Sequence, residues 1–344
     1  MKKILSTVLA ILMLSSIATT ALAATDVTDD RITVIRANVN GFLNDVGETQ
    51  TADRFLPLYN FGDELEALLF PLDEGGYAVA SYKDGHVIEY SPDDLPASPI
   101  GLSSDDQVYY GGPFSFYVKV GDQYENIISG APHEASSGFY SLEYVPNIEA
   151  IESRATRAVN ETPLLTPPSN YVGGEGMWYC TLSGITNLLQ YYTDNYGADV
   201  YSGNVSSVSG LRNALSTNKY IYNGGLLLSD AARGHTSPDG DNYLGLRSYF
   251  GRPDVSSYYV TVTGLSVSNV KTQIDRYSRP ALLHVYTSCV SSGASSNSTH
   301  IVLCYGYWET SMTTYYIVNN GWGSNSVYAC ADDIPTSFEM MYLQ

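Results

Sequence analysis

The chain has 344 residues and a formal net charge of −19 at pH 7, from 36 Asp and Glu against 17 Lys and Arg. Such acidity excludes nucleic acid and anionic membrane as partners of a basic face. The four cysteines and five histidines show no paired Cys-x-x-Cys of a zinc site, so no metal and no cofactor is expected.

Lys2 and Lys3 precede the mostly apolar run Ile4 to Ile17, and Ala21-Leu22-Ala23 has the small-x-small form of a cleavage site. This pattern predicts a secretory signal peptide over residues 1–23, cut after Ala23. An uncleaved N-terminal anchor is the competing reading, but the apolar run is short for a membrane span. The mature chain is expected to be secreted, extracellular or held at the cell surface, with no membrane partner after cleavage.

Charge then divides the chain. Residues 24–153 hold 23 acidic and 5 basic side chains, whereas residues 154–344 hold 13 and 10. Segments so unequal are read as separate units with separate tasks. The acidic unit, residues 24–150, reads as α+β. A short helix is expected around Asp63 to Leu69, within Leu56 to Phe70. Tyr77 to Tyr82 and His86 to Tyr90 flank Lys83-Asp84-Gly85, a strong hairpin signal. A second hairpin is expected from Phe114 to Val120, turning at Gly121-Asp122, then Tyr124 to Ile128. His86 and His133 stand alone and are read as loop or strand-edge residues.

Residues 151–168 read as a linker with a processing site. Glu152 to Glu161 is polar, Thr162-Pro163 and Thr166-Pro167-Pro168 interrupt regular structure, and exposed segments of this kind are where proteases cut. Residues 169–344 suffice for a core of their own. Here a helix starts near Cys180, just after Gly173, Gly174 and Gly176. Leu182, Ile185, Leu188, Leu189 and Tyr192 recur at helical spacing. A second helix is expected over Val205 to Ser216, and a loop from Gly224 to Asn242. Ser266 caps a third helix, Val267 to Tyr277, which Arg279-Pro280 ends. Strands follow over Ala281 to Tyr286, His300 to Trp308 and Thr314 to Asn319. Helices followed by strands suggest an α+β domain of two lobes.

The chemistry-bearing residues keep this order. Cys180 opens a helix, where the dipole favours thiolate. His300 stands at a loop-to-strand junction, and Asn319-Asn320-Gly321-Trp322-Gly323 closes the last of the predicted strands. A thiol attacking a carbonyl needs a base that also protonates the leaving amine, and an amide that orients the base. His284, inside an apolar strand, reads as structural, and His235 as a loop residue.

These three motifs, with about 120 residues between Cys180 and His300, resemble the papain-like cysteine peptidases. The likeness is closest to the streptopain branch and relatives with a bacteriocin-processing-like peptidase domain. The resemblance implies a two-lobed catalytic domain, a helical lobe then an antiparallel β lobe, over residues 169–344. Its implied catalytic residues are Cys180, His300 and Asn319, or Asn320 if the register shifts by one, with Trp322 as a wall of the site. The acidic unit resembles streptopain-type propeptides at Gly75 to Val79 and Tyr109 to Pro113. It would therefore be an α+β prodomain that inhibits its own enzyme. The implied activity is hydrolysis of protein or peptide substrates by a secreted zymogen.

One departure concerns the oxyanion. Gly174 stands where this family carries a Gln donor, whose loss typically costs on the order of 100- to 1000-fold in rate. Two alternatives therefore remain: a papain-fold thiol amidase or acyltransferase acting on cell-wall or protein amides, or a catalytically weakened binding homologue. With Cys180 catalytic, at most two of Cys289, Cys304 and Cys330 can pair. Cys304 shares a strand face with His300 and is expected in the core beneath the site.

Overall fold

The computed structural model describes residues 29–92, 107–127, 132–133, 165–168, 180–201, 205–222, 227–286, 299–321, 326–334 and 339–344. The segment expected as a signal peptide, most of the expected linker, Gly174, Cys289 and Trp322 lie outside the described residues. The chain divides into two compact units. One is Met1–Asn160 with Ser288–Gly293 and Glu309–Thr313; the other is Glu161–Thr287, Ala294–Trp308 and Thr314–Gln344.

The first unit opens with helix α1 (Asp29–Asp45). Ile32, Ile35, Val39, Phe42 and Leu43 are buried, a helical stripe that charge counting passed over. It lies against strands β3 (Tyr77–Ser81) and β4 (Val87–Ser91). These two strands are the expected hairpin, with Gly85 at φ 71° in its turn. The expected short helix around Asp63 to Leu69 is instead the hairpin of β1 (Leu56–Tyr59) and β2 (Leu65–Pro71). Ala67, Leu68, Leu69 and Phe70 are all buried. A strand covered on both faces loses its period-two signature and cannot be told from a buried helix by pattern alone. Asn60 Oδ1 accepts from the N–H groups of Gly62 and Glu64, closing the turn. Beyond β5 (Val108–Tyr110), the second expected hairpin is β6 (Phe116–Val120) and β7 (Gln123–Asn126). The short β8 (Pro132–His133) pairs with β7. Within this unit the described strands run β4-β3-β2-β1-β5-β6-β7-β8, parallel only at β1–β5.

Among the described residues of this unit, Glu89 is the one fully buried carboxylate, at 0 % exposure. It accepts from Tyr77 Oη at 2.6 Å, Tyr110 Oη at 3.2 Å and the Phe114 N–H at 2.9 Å. The last bond holds a residue of positive φ (68°), a costly backbone state for a bulky side chain. Burial pushes the Glu89 carboxyl up to about 7, against the pull of Tyr77, Phe114 and Tyr110.

The second unit begins with α2 (Cys180–Tyr196) and α3 (Val208–Thr217), the latter capped by Ser207 Oγ on the Gly210 N–H. The segment expected as loop holds α4 (Leu228–Arg233) and the short pair β9 (His235–Thr236) and β10 (Asn242–Tyr243). Then come α5 (Leu246–Phe250), β11 (Val260–Gly264) and α6 (Val267–Lys271), which continues as a π turn over Thr272–Arg276. Ser266 caps α6 as expected, accepting from the Asn269 N–H at 3.1 Å. The predicted strands are β12 (Ala281–Tyr286), β13 (Thr299–Glu309) and β14 (Thr314–Asn319). Two more follow, β15 (Val327–Cys330) and β16 (Glu339–Leu343). Their order among the described residues is β11-β16-β12-β13-β14-β15. The unit is thus mixed α and β, with most helices before most strands. Leu182, Ile185, Leu188 and Leu189 of α2 share one core with Leu282, Ile301, Leu303 and Met341 of the sheet. Tyr192 Oη donates to the Leu343 carbonyl at 2.8 Å, pinning the far end of α2.

The folded first unit holds the Glu89 proton up to about pH 7, while the unfolded chain releases it near 4.5. Stability from this group is therefore full below pH 4.5 and declines as pH rises through 7. In Glu89→Gln that loss should vanish, which thermal unfolding of both proteins between those two pH values will read.

Candidate active site

Cys180 is the first residue of α2, and it is half-buried. The rest of the opening three turns is enclosed: Thr181 through Tyr192 are all buried. The helix expected to be amphipathic is thus covered all round along this stretch. Gly184 explains how closely it packs. A Cβ there would stand 2.7 Å from Ile301 Cγ2 and 3.4 Å from Leu282 Cδ2, so the missing side chain lets α2 lie directly on β12 and β13.

That approach brings the candidate residues to one small cavity. Its helix wall is Cys180, Ser183, Gly184 and Asn187, the i, i+3, i+4 and i+7 positions of one face. Its sheet wall is His300, Ile301 and Leu303 of β13, and the end of β14 contributes Asn319 and Gly321. The space open to the centre of a water-sized sphere is about 10 Å³. Cys180, His300 and Asn319 therefore meet at one place.

His300 is 2 % exposed. Its Nε2 donates to the main-chain carbonyl of Asn320 at 2.6 Å. A carbonyl only accepts, so Nε2 carries the proton and the neutral ring has its lone pair at Nδ1. The Asn319 side chain turns to its own backbone: Oδ1 accepts from the Gly321 N–H at 2.9 Å. Gly321 has φ +74°, a conformation for which glycine is suited. Both asparagines are buried. The corner thus uses two consecutive residues in different ways, one through its side chain and one through its carbonyl. The sequence expectation had assigned the task to a single amide.

Electrostatics here is dominated by loss of water. Burial pulls the His300 imidazole down to about 4, the Asn320 carbonyl resists, and repulsion from His284 adds to the fall. Burial likewise pushes the Cys180 thiol above its ordinary value, outweighing hydrogen bonds from the backbone at Ile301, from Thr181 and from its own N–H. The helix dipole expected to favour thiolate is worth about 0.3–1 kcal/mol, and burial acts against it. The resting pair is therefore thiol and neutral imidazole, with the ion pair reached by proton transfer.

His284, expected as structural, is fully buried on β12 beside Ile301 in the β12–β13 ladder. Burial lowers it to about 4, against the attraction of Glu339. Cys304 lies in the core as expected, its Sγ–H donating to the Gly306 carbonyl. His235 packs between Tyr222 and Tyr243, away from the residues that line the cavity. The Trp322 wall falls outside the described residues. Ser183 and Asn187 were missed. Their signal was present but ambiguous: they recur from Cys180 at helical spacing, on the face opposite the apolar stripe.

No protein-family model and no curated protein matches the chain. Two solved structures of partial likeness are cysteine proteases or their precursors. Xylellain, a cysteine protease from Xylella fastidiosa, is 13 % identical with a TM-score of 0.29, over 54 % of this chain and 87 % of its own. A fragment of prointerpain A from Prevotella intermedia is 11 % identical with a TM-score of 0.38, over 84 % of this chain and 97 % of its own. At that distance the chemistry has to come from the residues themselves.

Two outcomes follow from this geometry. Gly184→Ala should cost about 1–3 kcal/mol through overpacking, only partly offset by the roughly 1 kcal/mol gain in helix propensity; denaturant unfolding should show a net loss of stability. Folded His284 and His300 stay neutral down to about pH 4, whereas the unfolded chain protonates near 6.5. Their contribution is full above pH 6.5 and is lost as pH falls toward 4, by on the order of 3 kcal/mol per imidazole. A melting temperature for the second unit that holds steady across that interval would contradict it.

Proposed function

We propose that the chain is a cysteine endopeptidase, secreted as a zymogen. The observation that carries this reading is the single cavity whose wall unites a helix-terminal thiol, a buried imidazole and the Asn319 corner. In this reading the Cys180 thiol gives its proton to His300 Nδ1 as sulfur attacks the peptide carbonyl. The tetrahedral oxyanion takes one hydrogen bond from the Cys180 backbone N–H. His300 then passes the proton to the leaving amine, and water hydrolyses the acyl-enzyme by the reverse relay.

The corner suits that cycle. The Nε2–H bond to the Asn320 carbonyl fixes the tautomer, so Nδ1 is the working nitrogen. When the ring becomes cationic, the same bond becomes charge-assisted and stronger. Asn319, clamped to the Gly321 N–H, keeps the carbonyl aimed. Exclusion of water, which disfavours the ion pair at rest, strengthens every one of these interactions during the reaction.

The acidic unit, residues 24–150, is then a propeptide, and residues 151–168 the segment cut to release it. Near the end of that segment the Leu165 N–H donates to the Tyr305 carbonyl of β13 at 3.0 Å, so in this reading the cut within it falls before Leu165.

Cleavage within the linker should switch on casein hydrolysis, and an epoxysuccinyl peptide should then label Cys180. Cys180→Ala and His300→Ala should each lose at least about 1000-fold in kcat/KM. Undiminished proteolysis by Cys180→Ala would refute the mechanism. Incorporation of amines in preference to hydrolysis would instead favour the acyltransferase reading.

A further inference from the structure

The cavity beneath the reacting pair holds two polar atoms that the proposed cycle leaves unused. Ser183 is 2 % exposed and Asn187 1 %. Among the described residues, Ser183 Oγ and Asn187 Oδ1 have no hydrogen-bond partner. Both residues line the same wall as Cys180, one and two turns deeper along α2. Buried polar groups are rarely left unmatched, and a polar cavity of about one water's size is the kind that is occupied. The space here, about 10 Å³ to the centre of a water-sized sphere, fits a single molecule.

The chemistry of the two atoms is complementary. A serine hydroxyl can donate, and an amide oxygen accepts. One water can accept from Ser183 and donate to Asn187, which leaves its second O–H for another acceptor. In so small a space that acceptor is on the remaining polar wall, formed by Cys180, His300 and Asn319; Asn319 Oδ1 already accepts from the Gly321 N–H, which leaves the Cys180–His300 pair. We propose that Ser183 and Asn187 hold one internal water against the Cys180–His300 pair, and so act as positioning residues for its proton transfer.

Such a water donates to sulfur from beneath the helix terminus. It thereby favours the thiolate and counters the burial that opposes it. The other titratable groups acting at this pair from the packed strands are His284 on β12 and, through it, Glu339 on β16. The inference rests on Cys180 and His300 being the reacting pair, and its test is built to fail separately from that reading.

Alkylation of Cys180 by iodoacetamide, followed by mass at its own peptide in the full chain, reads the thiol without any need for peptide hydrolysis. In Ser183→Ala and Asn187→Leu the midpoint of the rate–pH profile should rise by about one pH unit, a roughly tenfold slower reaction at neutral pH. Ser183→Thr, which keeps the hydroxyl, should restore the original midpoint. In the processed enzyme Asn187→Leu should lower kcat and leave KM unchanged. A midpoint unmoved in both Ser183→Ala and Asn187→Leu overturns the proposal. Should either variant fail to fold, a crystal structure of the unmutated chain decides. One ordered water bonded to both atoms supports the proposal, and an empty cavity ends it. A His300→Ala chain with the unmutated profile would instead overturn the pairing of Cys180 with His300.

Discussion

Where α2 crosses the sheet there is room for a hydrogen at position 184 and for nothing larger. The rest of the candidate site depends on that contact. It sets Cys180 over β13 close enough for the backbone at Ile301 to reach the sulfur. It also strips water from the His300 ring and draws Ser183 and Asn187 inward with the thiol. A glycine in a helix interior forgoes about 1 kcal/mol of helix propensity. Here that loss is set against the burial of α2 along three full turns.

Burial then decides the resting chemistry. A thiol and an imidazole in water at neutral pH sit within a few pKa units of exchanging a proton. Without water, both neutral forms gain, and the gap widens from both sides. The fold answers with fixed dipoles: the first-turn N–H groups of α2 and the Asn320 carbonyl. Preorganised partners of this kind need no rearrangement when charge appears, whereas solvent would have to reorient.

Much of this was readable in the amino-acid order, and the omissions have definite causes. Strands β12, β13 and β14 were legible because β-branched and aromatic runs end in sharp loop signals. The cysteine helix was legible because glycines precede its apolar period. The β1–β2 hairpin was misread because a doubly covered strand carries no alternation. The placing of β16 between β11 and β12 joins segments far apart in the chain, and no local pattern encodes such pairing. Cys180, His300 and Asn319 were singled out because their side chains carry distinctive chemistry. The Asn320 contact was not, because its functional atom is one that every residue possesses.

That last point has a genetic consequence. The atom holding His300 belongs to the main chain, so no side-chain replacement at position 320 can delete it. A scan of alanine substitutions would register residue 320 as dispensable for this bond while the bond persisted. Sensitivity passes instead to whatever bends the backbone there, above all Gly321 with its left-handed φ. For this bond, inheritance can change the letter at 320 while the curve of the chain around it must stay.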